Sequence, residues 1–319
     1  MPDVLQTRGS CIESVHPFSA VAVTDDGQPM RVLGEDRPTT WRSAAKPFQL
    51  AVALELLGDP EMPPESLAVG AASHSAEPVH LALVRGLLDR FRLDPAGLRC
   101  GAHPPAHVPT AEAILRAGGS FSDLHNNCSG KHAFMLAAAL HQGWDPDYRP
   151  PTHPLQRAIV DRVASWTGTS LALATDGCGV PTFCLRLSGI ARAWMRLAVA
   201  MAAEPEGRMG RIGGAMAAHP HLTSGTGRFD LAVAGLATEA VAVKIGAMGV
   251  FCVALPARRM GVAVKVHSGN TDALAAALPA VLQAFAPGSL VVPADWSFRC
   301  VHNVVGAVVG SWDVAKGVG

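Results

Sequence analysis

The sequence predicts an α+β fold, in which strands near both ends of the chain form one antiparallel sheet and helices pack against it. Three observations indicate this class. Short apolar segments separated by turn residues occur near the N-terminus, and short valine-rich segments occur again after residue 239. Long apolar segments typical of helices lie between them. Terminal strands that flank a helical middle are typical of α+β folds in which both sets of strands share one sheet.

The first strands are predicted as a hairpin. Residues 18–23 are apolar, Asp25, Asp26 and Gly27 form a turn signal, and an apolar segment returns at 30–33.

The middle of the chain is predicted to be helical. A buried helix over residues 47–57 ends at Gly58, Asp59 and Pro60. Five more helical patterns follow, at 79–91, 110–117, 133–142, 154–166 and 187–203.

The C-terminal part is predicted as an antiparallel meander, a helix and a closing strand. The meander strands are 240–244, 250–255 and 261–267, the helix is 271–285, and the closing strand is 304–309. We therefore expect a single domain over residues 1–319, with a helical insertion at about 45–205 as a second, interlocked lobe.

The amino-acid composition excludes several functional classes. Of 319 residues, 49 % are hydrophobic and only 16 % are charged, which excludes a disordered chain. Lysine plus arginine and aspartate plus glutamate each number 26, so no basic field attracts nucleic acid or an anionic membrane. We therefore expect a small-molecule partner. Residues 1–8 lack the apolar core of a signal peptide, and the seven cysteines lack the dense spacing of a secreted scaffold, which favours a cytoplasmic protein with reduced thiols.

Ser43 and Lys46 form a candidate catalytic pair. They lie three residues apart just before the Pro47 helix, so both would lie on one face of its first turn. A serine hydroxyl needs a base to become a nucleophile, and a lysine serves as that base when burial keeps it neutral. The simpler interpretation is a helix-capping serine followed by a solvated lysine.

Two further segments extend this pattern. Lys244 and Gly246 end a predicted strand, and a Ser-x-x-Lys motif followed by Lys-x-Gly is the order found in penicillin-recognising serine enzymes. Between them, the polar segment from Ser73 to Ser75 follows an apolar stretch and either enters a cleft or forms a helix-capping turn.

Two cysteine loops are candidate binding sites. Cys128 and Cys178 could bind a metal such as zinc, with Lys131 or His132 as a third ligand. They lack paired Cys-x-x-Cys spacing, so the residues by themselves favour the simpler interpretation of two buried structural thiols. A third is a nucleophilic Cys128 activated by His125 or His132.

Five segments in this order resemble the L-asparaginase II family of the rhizobial, or class 3, type. They are WRSAAKPFQ at 41–49, ASHSAEP at 72–78, HNNCSGKH at 125–132, DGCGVP at 176–181 and KIGA at 244–247. The resemblance implies a fold similar to serine β-lactamases and glutaminases, and hydrolysis of L-asparagine to L-aspartate and ammonia through an acyl-enzyme. It also implies a homodimer.

The resemblance implies roles for particular residues. It assigns Ser43 as nucleophile with Lys46 as its base, and a second serine–lysine pair formed by Lys244 with Ser73, in preference to Ser75. It implies a labile zinc ion, and no organic cofactor. The zinc ligands would be Cys128, Lys131 and Cys178.

The charges of asparagine suggest further roles. Asp176 would bind the ammonium group and Arg42 the α-carboxylate, each through a charge-assisted hydrogen bond.

Two positions depart from the family pattern. Met248 stands where a glutamate is expected, and Ala76 stands where a glycine is expected. The alternatives are therefore a glutaminase, a penicillin-type or other small-amide serine hydrolase, and a non-catalytic protein that binds an amino acid or zinc.

Overall fold

A computed structural model describes residues 1–26 and 30–315 of the protein. These residues form eleven strands and eleven α-helices. The strands are β1 (Asp3–Arg8), β2 (Cys11–Thr24), β3 (Arg31–Leu33), β4 (Pro38–Thr40), β5 (Ala172–Thr175), β6 (Pro181–Arg186), β7 (Ala242–Gly246), β8 (Val250–Leu255), β9 (Met260–Val266), β10 (Cys300–His302) and β11 (Val308–Val314). The helices are α1 (Lys46–Leu56), α2 (Pro64–Gly70), α3 (Pro78–Phe91), α4 (Val108–Arg116), α5 (Ser129–His141), α6 (Pro154–Thr167), α7 (Leu187–Ala203), α8 (Arg208–Ala218), α9 (Pro220–Thr223), α10 (Phe229–Leu236) and α11 (Leu274–Phe285).

Strands from both ends of the chain form one sheet. Its order is β10-β11-β1-β2-β9-β8-β7, and β3 also pairs with β2. Every pairing is antiparallel, and the central register joins Phe18 to Val266 and Thr24 to Met260. A second, three-stranded sheet has the order β4-β6-β5. The predicted α+β class, with a shared terminal sheet and packed helices, is confirmed.

The large sheet separates two hydrophobic cores. Val250, Cys252 and Ala254 of β8 face the core that contains the helices of the middle of the chain, whereas the residues between them face the core beneath α11. Helix α7 lies so close to β9 that a Cβ atom on Gly261 would lie 2.0 Å from the backbone nitrogen of Met195. Glycine is therefore required at this contact.

Most predicted elements are present within a few residues. The 187–203 helix and the 250–255 strand have the predicted bounds. The hairpin of β2 with β3 is confirmed, although Gly27 of its predicted turn lies outside the described residues.

The predicted closing strand was wrong in position. It was placed at 304–309, but β11 spans Val308–Val314. Val304 and Val305 are fully exposed in the turn before it, whereas Trp312 is buried against the second core. Valine content indicated a strand there, but the hydrogen bonds of Asn303 form a turn instead.

In the described part of the chain, no helix is both long and apolar enough to cross a membrane.

Candidate active site

Ser43 lies in a tight turn at the start of α1. The turn, Arg42–Ala45, is a 3₁₀ segment that continues directly into the helix, and the Lys46 N–H donates to the Ser43 carbonyl. Backbone hydrogen bonds from Trp41 to Phe183 and from Arg42 to the Thr182 hydroxyl hold the turn against β6. Ser43 is thereby placed on the wall of a cleft of about 710 Å³.

Ser73 lies between two buried lysines. Its hydroxyl oxygen accepts hydrogen bonds from Lys46 Nζ at 2.9 Å and from Lys244 Nζ at 2.8 Å. Lys46 also donates to the carbonyls of Ala72 and Asn127, at 2.6 and 3.2 Å. Ser73 lines the same cleft as Ser43. The structure therefore brings four of the predicted catalytic residues, from three distant segments, to one place.

Burial lowers the pKa of both lysines. Lys46 is 1 % exposed and Lys244 is fully buried. Burial lowers the pKa of Lys244 to about 7, with further lowering by Lys46 and Arg228 and an opposing effect of Asp230. Burial also lowers the pKa of Lys46, although Cys128 opposes the change. A lysine with a lowered pKa is a better proton acceptor near neutral pH.

The hydrogen bonds of Ser43 and Ser73 differ from the pairing of Ser43 with Lys46 that the sequence predicts. Among the described residues, the Ser43 hydroxyl makes no hydrogen bond, so Lys46 contacts Ser73 and not its sequence neighbour. Ser75 donates to the Ser224 carbonyl at 3.3 Å. The geometry thus favours Ser73 over Ser75 as the second serine.

Arg42 and Asp176 pair with each other. Arg42 Nε and Nη2 each lie 2.8 Å from the same oxygen of Asp176, Oδ1. The Gly177 N–H also donates to this oxygen. Asp176 Oδ2 and Arg42 Nη1 take no part in these contacts.

The two cysteine loops meet at the N-terminus of α5. A Cβ atom on Gly130 would lie 2.3 Å from the Val69 carbonyl oxygen, so a glycine lets α5 start against the end of α2. This packing turns Lys131 inward, where its Nζ lies 3.3 Å from Cys178 Sγ. Cys128 lies nearby and its thiol donates to Asn127 Oδ1 at 3.0 Å.

These three side chains carry the types of donor atom that zinc binds. Two thiols and an amine converge, with Cys128, Cys178 and Lys131 exposed by 6, 5 and 2 %. The contact with Cys178, with Lys46 and Lys131, lowers the pKa of the Cys128 thiol well below its usual range, whereas the same contact and burial raise the pKa of the Cys178 thiol. Sulfur and nitrogen donors of this kind suit zinc, which binds cysteine as the thiolate. Burial disfavours the charged form of Lys131, but the cysteines outweigh it and raise its pKa, so zinc would have to displace a proton from this amine.

The histidines near Cys128 have other partners. His132 Nδ1 lies 2.7 Å from the Tyr148 hydroxyl, and His125 Nδ1 accepts from the Ser122 backbone. Neither histidine hydrogen-bonds to Cys128 in the described structure, so the geometry gives no support to a cysteine–histidine nucleophile.

Three residues near the cleft were missed from the sequence. Glu77 anchors the loop at 224–228, Arg228 lines the cleft and Asp230 acts electrostatically on Lys244. The last two lie in residues 204–239, where no element was predicted. The glycines Gly225 and Gly227, directly before a charged residue, were the signal that could have marked this loop.

Known proteins resemble the chain at the levels of family and fold. The L-asparaginase II family model matches residues 4–314. No protein of curated function matches the sequence closely enough to count as a relative. The crystal structure of Mglu in its native form in 4.3 M NaCl aligns with 16 % identity and a TM-score of 0.48, over 84 % of this chain and 61 % of that chain. A β-lactamase from Burkholderia ambifaria aligns with 13 % identity and a TM-score of 0.37, over 84 % of this chain and 94 % of that one.

This chain thus spans about three-fifths of the Mglu chain, 61 % of it. The family match, in contrast, extends over nearly all of the 319 residues, from residue 4 to residue 314, and includes both serine–lysine pairs and both cysteine loops. The chain therefore belongs to the L-asparaginase II family.

Proposed function

We propose that the protein is an L-asparagine amidohydrolase that forms an acyl-enzyme on Ser43. The observation that carries this proposal is the position of Ser73, which is hydrogen-bonded to the buried amines of Lys46 and Lys244 beside a cleft that Ser43 also lines. Membership of the L-asparaginase II family supports an amide as the substrate.

The reaction would proceed in two halves. Ser43 Oγ attacks the side-chain amide carbon of asparagine, and its proton passes to neutral Lys46, with Ser73 beside that amine. The C–N bond then breaks, the leaving nitrogen takes this proton, and ammonia departs. Water next attacks the β-aspartyl ester, assisted by the same base or by the pair of Ser73 and Lys244, and releases aspartate.

Backbone donors near Ser43 would stabilise the negative charge on the carbonyl oxygen. Removing one such donor in other enzymes costs about 2.7–4 kcal/mol.

Arg42 and Asp176 would contact the charged groups of the substrate. Both contacting nitrogens of Arg42 lie against Asp176 Oδ1, which leaves Oδ2 for the substrate ammonium. Arg42 retains Nη1 for the α-carboxylate. The ion pair would therefore act as a unit that orients a zwitterionic amino acid.

Cys128, Lys131 and Cys178 would hold a zinc ion close to these groups. When bound, the metal would supply Lewis-acid stabilisation of an oxygen of the substrate. A homodimer and a cytoplasmic location are further proposals that rest on the family resemblance and the sequence.

Ammonia release from L-asparagine tests the proposal. We expect release by the wild type, with or without added zinc, and none by Ser43→Ala, because the change removes the oxygen that attacks the substrate. The circular dichroism spectrum of Ser43→Ala should match that of the wild type, which would show that the fold is unchanged. Ser170→Ala, a change at an exposed serine outside the cleft, is the matched control and should keep wild-type turnover. Wild-type turnover in Ser43→Ala would overturn the assignment of the nucleophile.

The same assay with other substrates separates the alternatives. Faster release from glutamine would identify a glutaminase, although one methylene changes binding by only about 1–3 kcal/mol. Hydrolysis of a chromogenic β-lactam would identify a penicillin-type enzyme. Thermal stabilisation by asparagine or zinc without any ammonia release would identify a binding protein.

A further inference from the structure

Arg228 presents an unused guanidinium to the catalytic cleft. The side chain is about one-third exposed, and among the described residues its five N–H groups make no hydrogen bond. Its nearest anionic neighbour is Asp230, whose Oδ1 lies 4.0 Å from Arg228 Nε. The two groups therefore form an ion pair without a hydrogen bond, and the N–H groups of the guanidinium stay available to a planar anion.

The backbone that carries Arg228 is held rigidly. Glu77 Oε1 accepts from the Thr226 N–H at 2.7 Å, and Glu77 Oε2 accepts from the Thr226 hydroxyl at 2.9 Å. The Ser224 hydroxyl donates to Asp230 on the other side of the loop. A fixed backbone reduces the entropy lost when an arginine closes on a ligand.

Arg42 is a less available cation. It uses Nε and Nη2 on Asp176, and it is absent from the walls of the cleft that contains Ser43 and Ser73. Arg228 lines that cleft and also lies close enough to Lys244 to lower its pKa. A carboxylate that binds in the cleft therefore meets Arg228 with an open pair of parallel donors.

We infer that Arg228 is a specificity-determining residue that binds the α-carboxylate of the substrate. This inference rests on the proposed function and deepens it, because it names the residue that selects amides with a free carboxylate. It assigns the main carboxylate contact to Arg228, while Arg42 positions Asp176 and reaches the same carboxylate only through Nη1. Amides without the carboxylate would then bind poorly, because the N–H groups of the guanidinium would gain no acceptor from the substrate.

Binding to the Ser43→Ala protein tests the inference without turnover. The ligands are L-asparagine and β-alaninamide, which is asparagine without its α-carboxylate, and calorimetry gives the Kd of each. We expect Arg228→Met to raise the Kd of asparagine by at least about tenfold, the range of a charge-assisted hydrogen bond. The affinity for β-alaninamide should stay within about twofold, and Arg228→Lys should lose affinity for asparagine to an intermediate extent, since lysine keeps the charge without the fork.

Arg116→Met is the matched control. This arginine is 74 % exposed on α4 and, within residues 1–26 and 30–315, pairs only with Glu112, so its loss should leave both affinities unchanged. An unchanged Kd for asparagine in Arg228→Met would overturn the inference, and so would equal losses for the two ligands, which would indicate a merely structural role.

Failure of the inference and failure of the proposed function are distinguishable. A wild type that releases no ammonia, combined with carboxylate-dependent binding through Arg228, would overturn the function and support the inference. Ammonia release by the wild type, combined with an unchanged affinity of Arg228→Met for asparagine, would support the function and overturn the inference.

Discussion

Met248 and Ala76 depart from the family pattern, and both have a left-handed backbone. Their φ angles are +63° and +55°. Glycine adopts this conformation freely, whereas a residue with a Cβ atom is strained in it. The glycine expected after Ser75 therefore has a physical reason. Met248 is 53 % exposed in the turn between β7 and β8, so the missing glutamate leaves no buried position empty.

Met248→Gly should stabilise the protein. A left-handed conformation costs about 1–2 kcal/mol for a residue with a Cβ atom, and glycine removes this cost from the folded state. Glycine also has more conformational freedom in the unfolded chain, which offsets roughly 0.5–1 kcal/mol of the stabilisation. We expect a net increase of about 0.5–1 kcal/mol in the free energy of unfolding, measured by denaturant titration. Ala247→Gly, one residue earlier and without positive φ, is the control and should destabilise the protein instead. A loss of stability in Met248→Gly would contradict the prediction.

The buried amine of Lys244 should give the activity an acidic limb near neutral pH. A proton-accepting lysine must be neutral, and burial lowers the pKa of Lys244 to about 7. We therefore expect kcat for asparagine to fall about tenfold for each pH unit below this value, because Lys244 assists the hydrolysis of the acyl-enzyme. A pH profile of ammonia release measures the limb.

Asp230 sets the position of that limb. Its carboxylate raises the pKa of Lys244, against burial and the charges of Lys46 and Arg228. Asp230→Asn removes the opposing charge, so the limb should move to lower pH. A flat profile in the wild type, or a shift to higher pH in Asp230→Asn, would show that Lys244 does not control the reaction.

Among the secondary-structure elements, those with strong periodicity were predictable and those defined by contacts were not. Helix α7 has the predicted bounds because its apolar face packs along the sheet for its whole length. Helices α8 to α10 were missed because glycines interrupt α8 and α9 has only four residues, and their stability comes from contacts with β7 and, for α8 and α9, also with α2. The short sheet β4-β6-β5 was missed for a similar reason, since no segment of it has four alternating residues.

Glu77 connects helix α3 to the loop at 224–228. Besides its two bonds to Thr226, its carboxylate lies 3.2 Å from His221 Nε2, and it caps the first turn of α3. Glu77→Ala should lower the free energy of unfolding by about 1–3 kcal/mol, because it removes two hydrogen bonds to Thr226 and the cap of α3. It should also raise KM for asparagine, since the loop carries Arg228. Thermal melts and steady-state kinetics measure the two effects.

Thr226→Val and the pH dependence are the controls for Glu77. The valine removes only the hydroxyl contact and should cost less, about 1 kcal/mol. Burial raises the pKa of Glu77, but the bonds from Thr226 outweigh it and lower the value below the usual 4.5. This carboxylate therefore contributes its stability above that pH, and the contribution is lost as the pH falls further. Equal melting temperatures of Glu77→Ala and wild type, at neutral pH, would contradict the role.

At the scale of the whole molecule, the motifs identified which residues form the site but not how they pair. Five short segments indicated Ser43, Lys46, Ser73 and Lys244, and the fold places them together. Lys46 contacts Ser73 because the start of α1 packs against residues 72 and 127. This is a tertiary contact, and no local sequence pattern predicts it. The pairing of Arg42 with Asp176 is of the same kind.

The two cores should unfold together, as expected for one domain with interlocked lobes. Strand β8 is buried on both faces and contributes alternate residues to each core, so neither core can form without the sheet. Leu197→Ala in α7 and Leu278→Ala in α11 remove fully buried side chains from opposite cores. Each should lower the free energy of unfolding by about 2–5 kcal/mol and shift one common transition. Calorimetry together with far-ultraviolet circular dichroism checks this result. If Leu278→Ala separates two transitions and leaves the helical part melting at the wild-type temperature, the lobes are independent domains and the single-domain prediction is wrong.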